Sequence, residues 1–168
     1  MWSPRTLALV TAAALAVTGC GGDDGDQYAT AWNDTCREVS DAYRSFQTAV
    51  ATAADTSPDR GDAAARSPVP AAAVAADLRK PAQELGAALE KPLGRIRDTD
   101  PPQRYAAWHR QAVRRLDAQL RVLDDGVDRL ARGDGDALAQ LALGGVGPAA
   151  ADAPTGLRDE TPDCTSMR

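Results

Sequence analysis

Few side chains in this 168-residue chain are of a type that could do chemistry. They are Cys20, Cys36, Cys164, the single histidine His109, and an aromatic set comprising Tyr28, Trp32, Tyr105 and Trp108. Cys20 is a thiol directly after the small residues Thr18 and Gly19. Cys36 and Cys164 could form a disulfide or ligate a metal. The metal option is weak, because one histidine and no C-x-x-C spacing leave a site short of ligands. His109 could serve as a general base only with a nucleophile or water and an orienting group beside it. The chain has no G-x-S-x-G, no H-E-x-x-H and no spaced carboxylate pair that would supply them. The expectation is therefore a packed histidine, no catalytic residue, no metal and no cofactor.

The start of the chain carries a different kind of signal. Arg5 precedes an apolar run over 7–17, small residues follow, and Gly21-Gly22-Asp23-Asp24-Gly25-Asp26 comes next. A basic residue, a short apolar stretch and small residues before a cut describe a secretory signal. Val17-Thr18-Gly19-Cys20 resembles the lipobox of bacterial lipoproteins. The resemblance implies diacylglyceryl transfer to the Cys20 thiol, cleavage before Cys20 and acylation of the new amine. The apolar run is well short of the ~20 residues that cross a bilayer. Lipid is a sufficient anchor instead, since two or more chains hold where one is marginal. The domains expected are a signal peptide over 1–19, a flexible Gly/Asp tether over 20–25 and one helical domain over 26–168. The location implied is the extracytoplasmic face of the cell membrane.

Charge and cysteine usage agree with export. The formal charge is −5, from 19 Lys+Arg against 24 Asp+Glu. Removing residues 1–19 takes away Arg5 alone and makes the chain more acidic still. An acidic chain outside the cytoplasm argues against nucleic acid as a partner. With Cys20 lipidated, Cys36 and Cys164 remain as an even pair, which in an exported chain reads as one disulfide. Aromatics make up only 4% of residues, so the core is thin and alanine-rich.

The elements that must position these residues are helices. Ala29, Trp32, Cys36, Val39, Tyr43, Phe46, Val50 and Ala53 recur at steps of three and four, predicting a helix over 26–54. Residues 55–69 read as a loop, with turn residues and Ser67-Pro68-Val69-Pro70. A second helix is expected over 70–97, with Val74, Leu78, Ala82, Leu85, Leu89 and Ile96 on one face. Pro81 and Pro92 should bow or split it. Asp100 suits an N-cap and Pro101 a first helical position, so a third helix should run from there to about Arg132. Its stripe is Tyr105, His109, Val113, Leu116, Leu120, Leu123, Val127 and Leu130. Asp117, Arg121, Asp125 and Arg129 alternate in sign along its outer face, four residues apart. A short fourth helix is expected over 136–143, and an irregular tail over 144–168. No run of alternating β-branched residues predicts a strand.

The lipobox, the Ala/Arg-rich helical body, the early Cys36, Pro101-Pro102 before a helix and the Pro162-Asp163-Cys164 end together resemble small surface lipoproteins of actinobacteria. That resemblance implies location and fold and no activity. The fold expected is all-α: an antiparallel bundle of three long helices, a short fourth helix, and a tail pinned by the disulfide. In such a bundle the first and third helices start at the same end. Tyr28, Trp32, Tyr105, Trp108 and His109 then gather there, nearest the lipid, either as a ligand pocket or as large side chains filling a wide bundle end. The function these features suggest is a non-enzymatic binding or interaction module of the cell envelope. The alternative is a carrier or sensor for a small apolar ligand at the aromatic end.

Overall fold

The computed structural model describes residues 23–56, 71–143 and 152–165. The expected signal peptide, Cys20 and the expected loop over 55–69, apart from Asp55 and Thr56 which end the first helix, lie outside the described residues. All regular structure among the described residues is helical: α1 (Asp23–Thr56), α2 (Ala71–Asp98), α3 (Ala106–Ala131), α4 (Ala137–Leu143), α5 (Thr155–Glu160) and α6 (Pro162–Thr165). None of the described helices is long and apolar enough to cross a membrane.

The helices pack as a bundle with one core. Along α1 the stripe residues Ala29, Trp32, Cys36, Val39 and Phe46 are all buried, and Tyr28 and Thr35 join them. Successive contacts fix the direction of α2. Thr35 reaches the Pro92 carbonyl at 3.4 Å, while Phe46 faces Pro81 and Leu85 across a small surface recess. Moving forward on α1 is moving backward on α2. On the other flank, Arg97 of α2 meets Asp117 of α3 at 2.7 Å.

Three expectations need correction. The tether over 20–25 is too long, because α1 already begins at Asp23. Asp24 and Asp26 stand near the helix N-terminus, where the macrodipole favours negative charge. Gly25 within it lies against the Arg104 guanidinium, which fills the space a side chain would need. The third helix does not start with Asp100 as cap and Pro101 as first residue. Pro102 occupies the cap position with φ −52° and ψ 145°, and a 3-10 turn over Gln103–Tyr105 leads into α3. The reason is steric: a proline disfavours the helical region in the residue before it, so Pro102 keeps Pro101 out of the helix. The tail is not irregular over its described part. Pro154 stands at the cap of α5 and Pro162 is the first residue of α6. Both prolines start helices rather than ending them.

Pro81 and Pro92 do not split α2, which runs continuously through both. They sit eleven residues apart, about three turns, so both fall on the α1-facing side. Small residues of α1 oppose them: Ala42, Ser45 and Ala49 near Pro81, and Thr35 near Pro92.

The end of α3 is a Schellman motif. Gly133 takes φ 87°, its N–H donates to the Leu130 carbonyl at 2.9 Å, and the Asp134 N–H donates to the Arg129 carbonyl at 3.1 Å. A positive φ is what glycine supplies without steric cost. The chain then reverses into α4, whose Ala137 and Leu141 are buried.

Candidate functional site

The aromatic residues do come together. Tyr28 from α1 stacks on Tyr105 with ring centroids 5.6 Å apart, and Trp32 lies 4.9 Å from Trp108. His109 approaches both α1 rings, at 5.7 Å from Tyr28 and 6.0 Å from Trp32. Tyr28, Trp32, Tyr105 and His109 are buried, and Trp108 is half-buried. Helix periodicity accounts for this: positions 28 and 32 are one turn apart on α1, as are 105 and 109 at the start of α3. The Tyr105 hydroxyl lies close to Gly156 of α5, where an added Cβ would stand only 3.2 Å from it. The short tail helix therefore caps the cluster.

One polar bond runs through the rings. The Tyr28 oxygen and His109 Nδ1 are 2.9 Å apart and buried. The phenol donates to Nδ1 when the imidazole carries its proton on Nε2. Burial pushes the phenol well above its usual range, the Trp32 indole and then Tyr105 having smaller effects. Burial also holds His109 below its ordinary value, with Asp100 opposing. Both shifts favour the neutral forms, so at pH 7 the bond joins a neutral phenol to a neutral imidazole. Trp32 Nε1 is buried and reaches no hydrogen-bond acceptor of acceptable geometry. An unmet buried donor costs about 1–3 kcal/mol. Each aromatic pair contributes roughly 0.5–1.5 kcal/mol beyond its area, and Trp32 takes part in three.

Cys36 and Cys164 are bonded, with Cα atoms 5.0 Å apart and 128 residues between them in sequence. Cys36 lies thirteen residues into α1, about 20 Å from its start. Cys164 Sγ sits 3.5 Å from the Trp32 carbonyl oxygen, so the bridge borders the aromatic cluster. As a disulfide sulfur it has no proton to donate. Asn33 reinforces the bridge by contacting Asp163 of α6. This side-chain contact escaped the sequence reading, which gave Asn33 no role.

The charged face of α3 is wired differently from the alternating pattern. Asp117 pairs with Arg97 of α2 rather than along its own helix, and Arg129 pairs with Asp134 at 2.7 Å. Arg95 of α2 pairs with Glu38 of α1 at 2.7 Å, and Arg115 with Asp152. These pairs are partly exposed, so solvent screens them. They fix neighbours more than they stabilise. Among the described residues no group of three or more histidine, cysteine or acidic side chains is placed to hold a metal ion.

No protein-family model matches the chain, and neither a curated protein nor a solved structure matches it.

Proposed function

We propose that this chain is a lipid-anchored lipoprotein of the extracytoplasmic face of the cell membrane, acting as a non-enzymatic binding module of the envelope. Its architecture, in this reading, is an antiparallel bundle of three long helices with tail helices bound to the first. The observation that carries the reading is the Cys36–Cys164 bond. Stable disulfides belong to oxidising compartments, where an exported chain resides. The lipobox-like Val17-Thr18-Gly19-Cys20 supplies the anchor. The first helix begins three residues after Cys20, so in this reading its start stands within about 11 Å of the anchor point, at most 3.6 Å per residue, and Tyr28 about 8 Å further along it.

The test uses the full precursor expressed in a bacterial host. Wild-type chain should incorporate labelled fatty acid and lose 1–19, while Cys20→Ala should stay unlabelled at precursor mass. Normal cleavage and labelling of Cys20→Ala would overturn the anchoring.

A second reading is favoured by the unpartnered Trp32 N–H among the rings. It is a carrier or sensor for a small apolar ligand bearing one acceptor, held by Tyr28, Trp32, Tyr105, Trp108 and His109. Native mass spectrometry of the mature chain separates the two. A co-purifying mass lost in Trp108→Ala supports the carrier, and a clean apo mass supports the binding module.

A further inference from the structure

A groove of about 770 Å³ runs between α2 and α3, on the flank of the bundle away from the aromatic cluster. Its α2 wall extends from Gln83 to Arg97, about 21 Å at 1.5 Å per residue. Its apolar floor is Gly86, Ala87, Leu120 and Val127. Leu120 and Val127 belong to the apolar stripe of α3, yet they stay only partly buried while Leu116, Leu123 and Leu130 are fully buried. Val113 is partly buried too, but Leu120 and Val127, packed on the edge of the core, are the ones whose remaining surface lines the groove.

Gly86 has no structural reason to be glycine. It lies inside α2 with a negative φ, and an added Cβ would meet nothing within 4 Å. A helix-interior glycine destabilises a helix relative to alanine. Its effect here is to keep the floor of the groove open.

The walls are acidic on balance, with four carboxylates against two arginines. Arg97 and Asp117 neutralise each other at one end. Beyond them Glu90, Asp124 and Asp128 are exposed and form no ion pair among the described residues, against the one cation Arg121. A groove about four helical turns long, with an apolar stretch of about two turns and a net acidic lining, complements a helix that has an apolar stripe and flanking cations.

We propose that the α2–α3 groove docks a cationic amphipathic helix of a partner protein. The proposal rests on the binding-module reading and names the partner's chemistry. It fails separately from that reading, because Gly86→Leu leaves Cys20 and its labelling untouched.

The test measures binding of two synthetic helix-forming peptides of about 18 residues to the mature full chain by fluorescence anisotropy. Both carry leucine at i, i+3, i+4 and i+7; one has lysine and the other glutamate at flanking positions. The lysine peptide should bind and the glutamate peptide should not. Gly86→Leu changes no charge and fills the floor, so it should weaken the lysine peptide about tenfold or more while helicity holds and the melting temperature does not fall. Asp124→Asn with Asp128→Asn, both on the surface, should weaken it and flatten its salt dependence. Equal binding to wild type and Gly86→Leu would reduce the attraction to unspecific charge and overturn the proposal. Absence of binding to wild type would overturn it too. A wild-type dimer that Gly86→Leu converts to monomer would assign the groove to a second copy and overturn the partner helix.

Discussion

Asn33 holds Asp163 with both ends of its amide. Its Nδ2 donates to the Asp163 carboxylate and its Oδ1 accepts the Asp163 backbone N–H, each at 2.9 Å. The second bond satisfies one of the donors that the start of a short helix leaves without an intrahelical partner. Asn33 and Cys36 are three apart on α1, so one face of one helix holds adjacent residues of the tail by a covalent bond and by a reciprocal pair.

Asn33→Ala should cost about 1–2 kcal/mol, the range for losing a cap or a buried hydrogen-bonding partner. The disulfide remains, so the tail stays tethered while α6 frays. Hydrogen exchange should accelerate at the Asp163 amide and stay unchanged in the middle of α3. Uniform acceleration across all helices would contradict a local role for Asn33.

The covalent bond should matter more. A bridge across 128 residues removes about 5 kcal/mol of chain entropy from the unfolded state on the loop-closure model, and measured values are often smaller. Cys36→Ser should lower the melting temperature and open the segment around Leu157 to proteases. Cys36 is fully buried, so reductant should act on the native protein only as fast as the fold opens. Detection of two free thiols in the oxidised mature chain would refute the bond.

The helices were legible because their apolar residues repeat at three and four, and Trp32, Val39, Leu78, Leu89, Leu116 and Leu130 are buried as that period requires. Tyr28, Thr35, Leu93 and Ala112 are buried as well, and the single stripes omitted them. A stripe presumes one neighbour, whereas α1 meets α2 on one side and α5 and α6 on another. The gathering of Tyr28, Trp32, Tyr105, Trp108 and His109 followed from helix direction alone. The Tyr28–His109 bond and the orphan Trp32 N–H depend on rotamers, which spacing does not encode. The tail helices were hidden because Pro154 and Pro162 read equally as breakers and as first residues.

His109 gives the stability of the fold a pH dependence with a definite sign. Burial lowers its folded-state value below the ordinary 6.5. The unfolded chain therefore binds a proton that the folded chain rejects as the pH falls past about 6.5, and stability is lost from there toward the lower folded value. Above that window the contribution is fully present. Asp100 faces His109 and narrows the window by favouring its charged form. His109→Gln keeps an acceptor for Tyr28 and does not titrate. Its melting temperature should change less than that of wild type between pH 7.5 and 5, a range that stays above most carboxylate titration. Parallel curves for the two proteins would remove His109 as the cause.

Two interior glycines should respond differently to the same substitution. Gly94 in α2 has open space where a Cβ would go, with nothing within 4 Å. Gly94→Ala should therefore stabilise by about 0.5–1 kcal/mol through helix propensity and lost unfolded-state freedom. Gly126 in α3 is buried beneath α4, and a Cβ there would stand 2.9 Å from Leu141 Cδ2 and 3.2 Å from its Cγ. Leu141 is itself 1% exposed, so its side chain has little room to retreat. The contact fixes how closely α4 lies on α3, together with the Gln140 amide donating to the Val122 carbonyl at 3.2 Å. Gly126→Ala gains the same propensity and loses it to this crowding. Gly126→Val should exceed it, with overpacking of about 1–3 kcal/mol that lifts α4 and exposes the amides near Ala137 to exchange. Melting curves of the three variants decide the matter. Equal stabilisation by Gly94→Ala and Gly126→Ala would show that α4 yields freely, and that glycine at 126 is not what sets its seat.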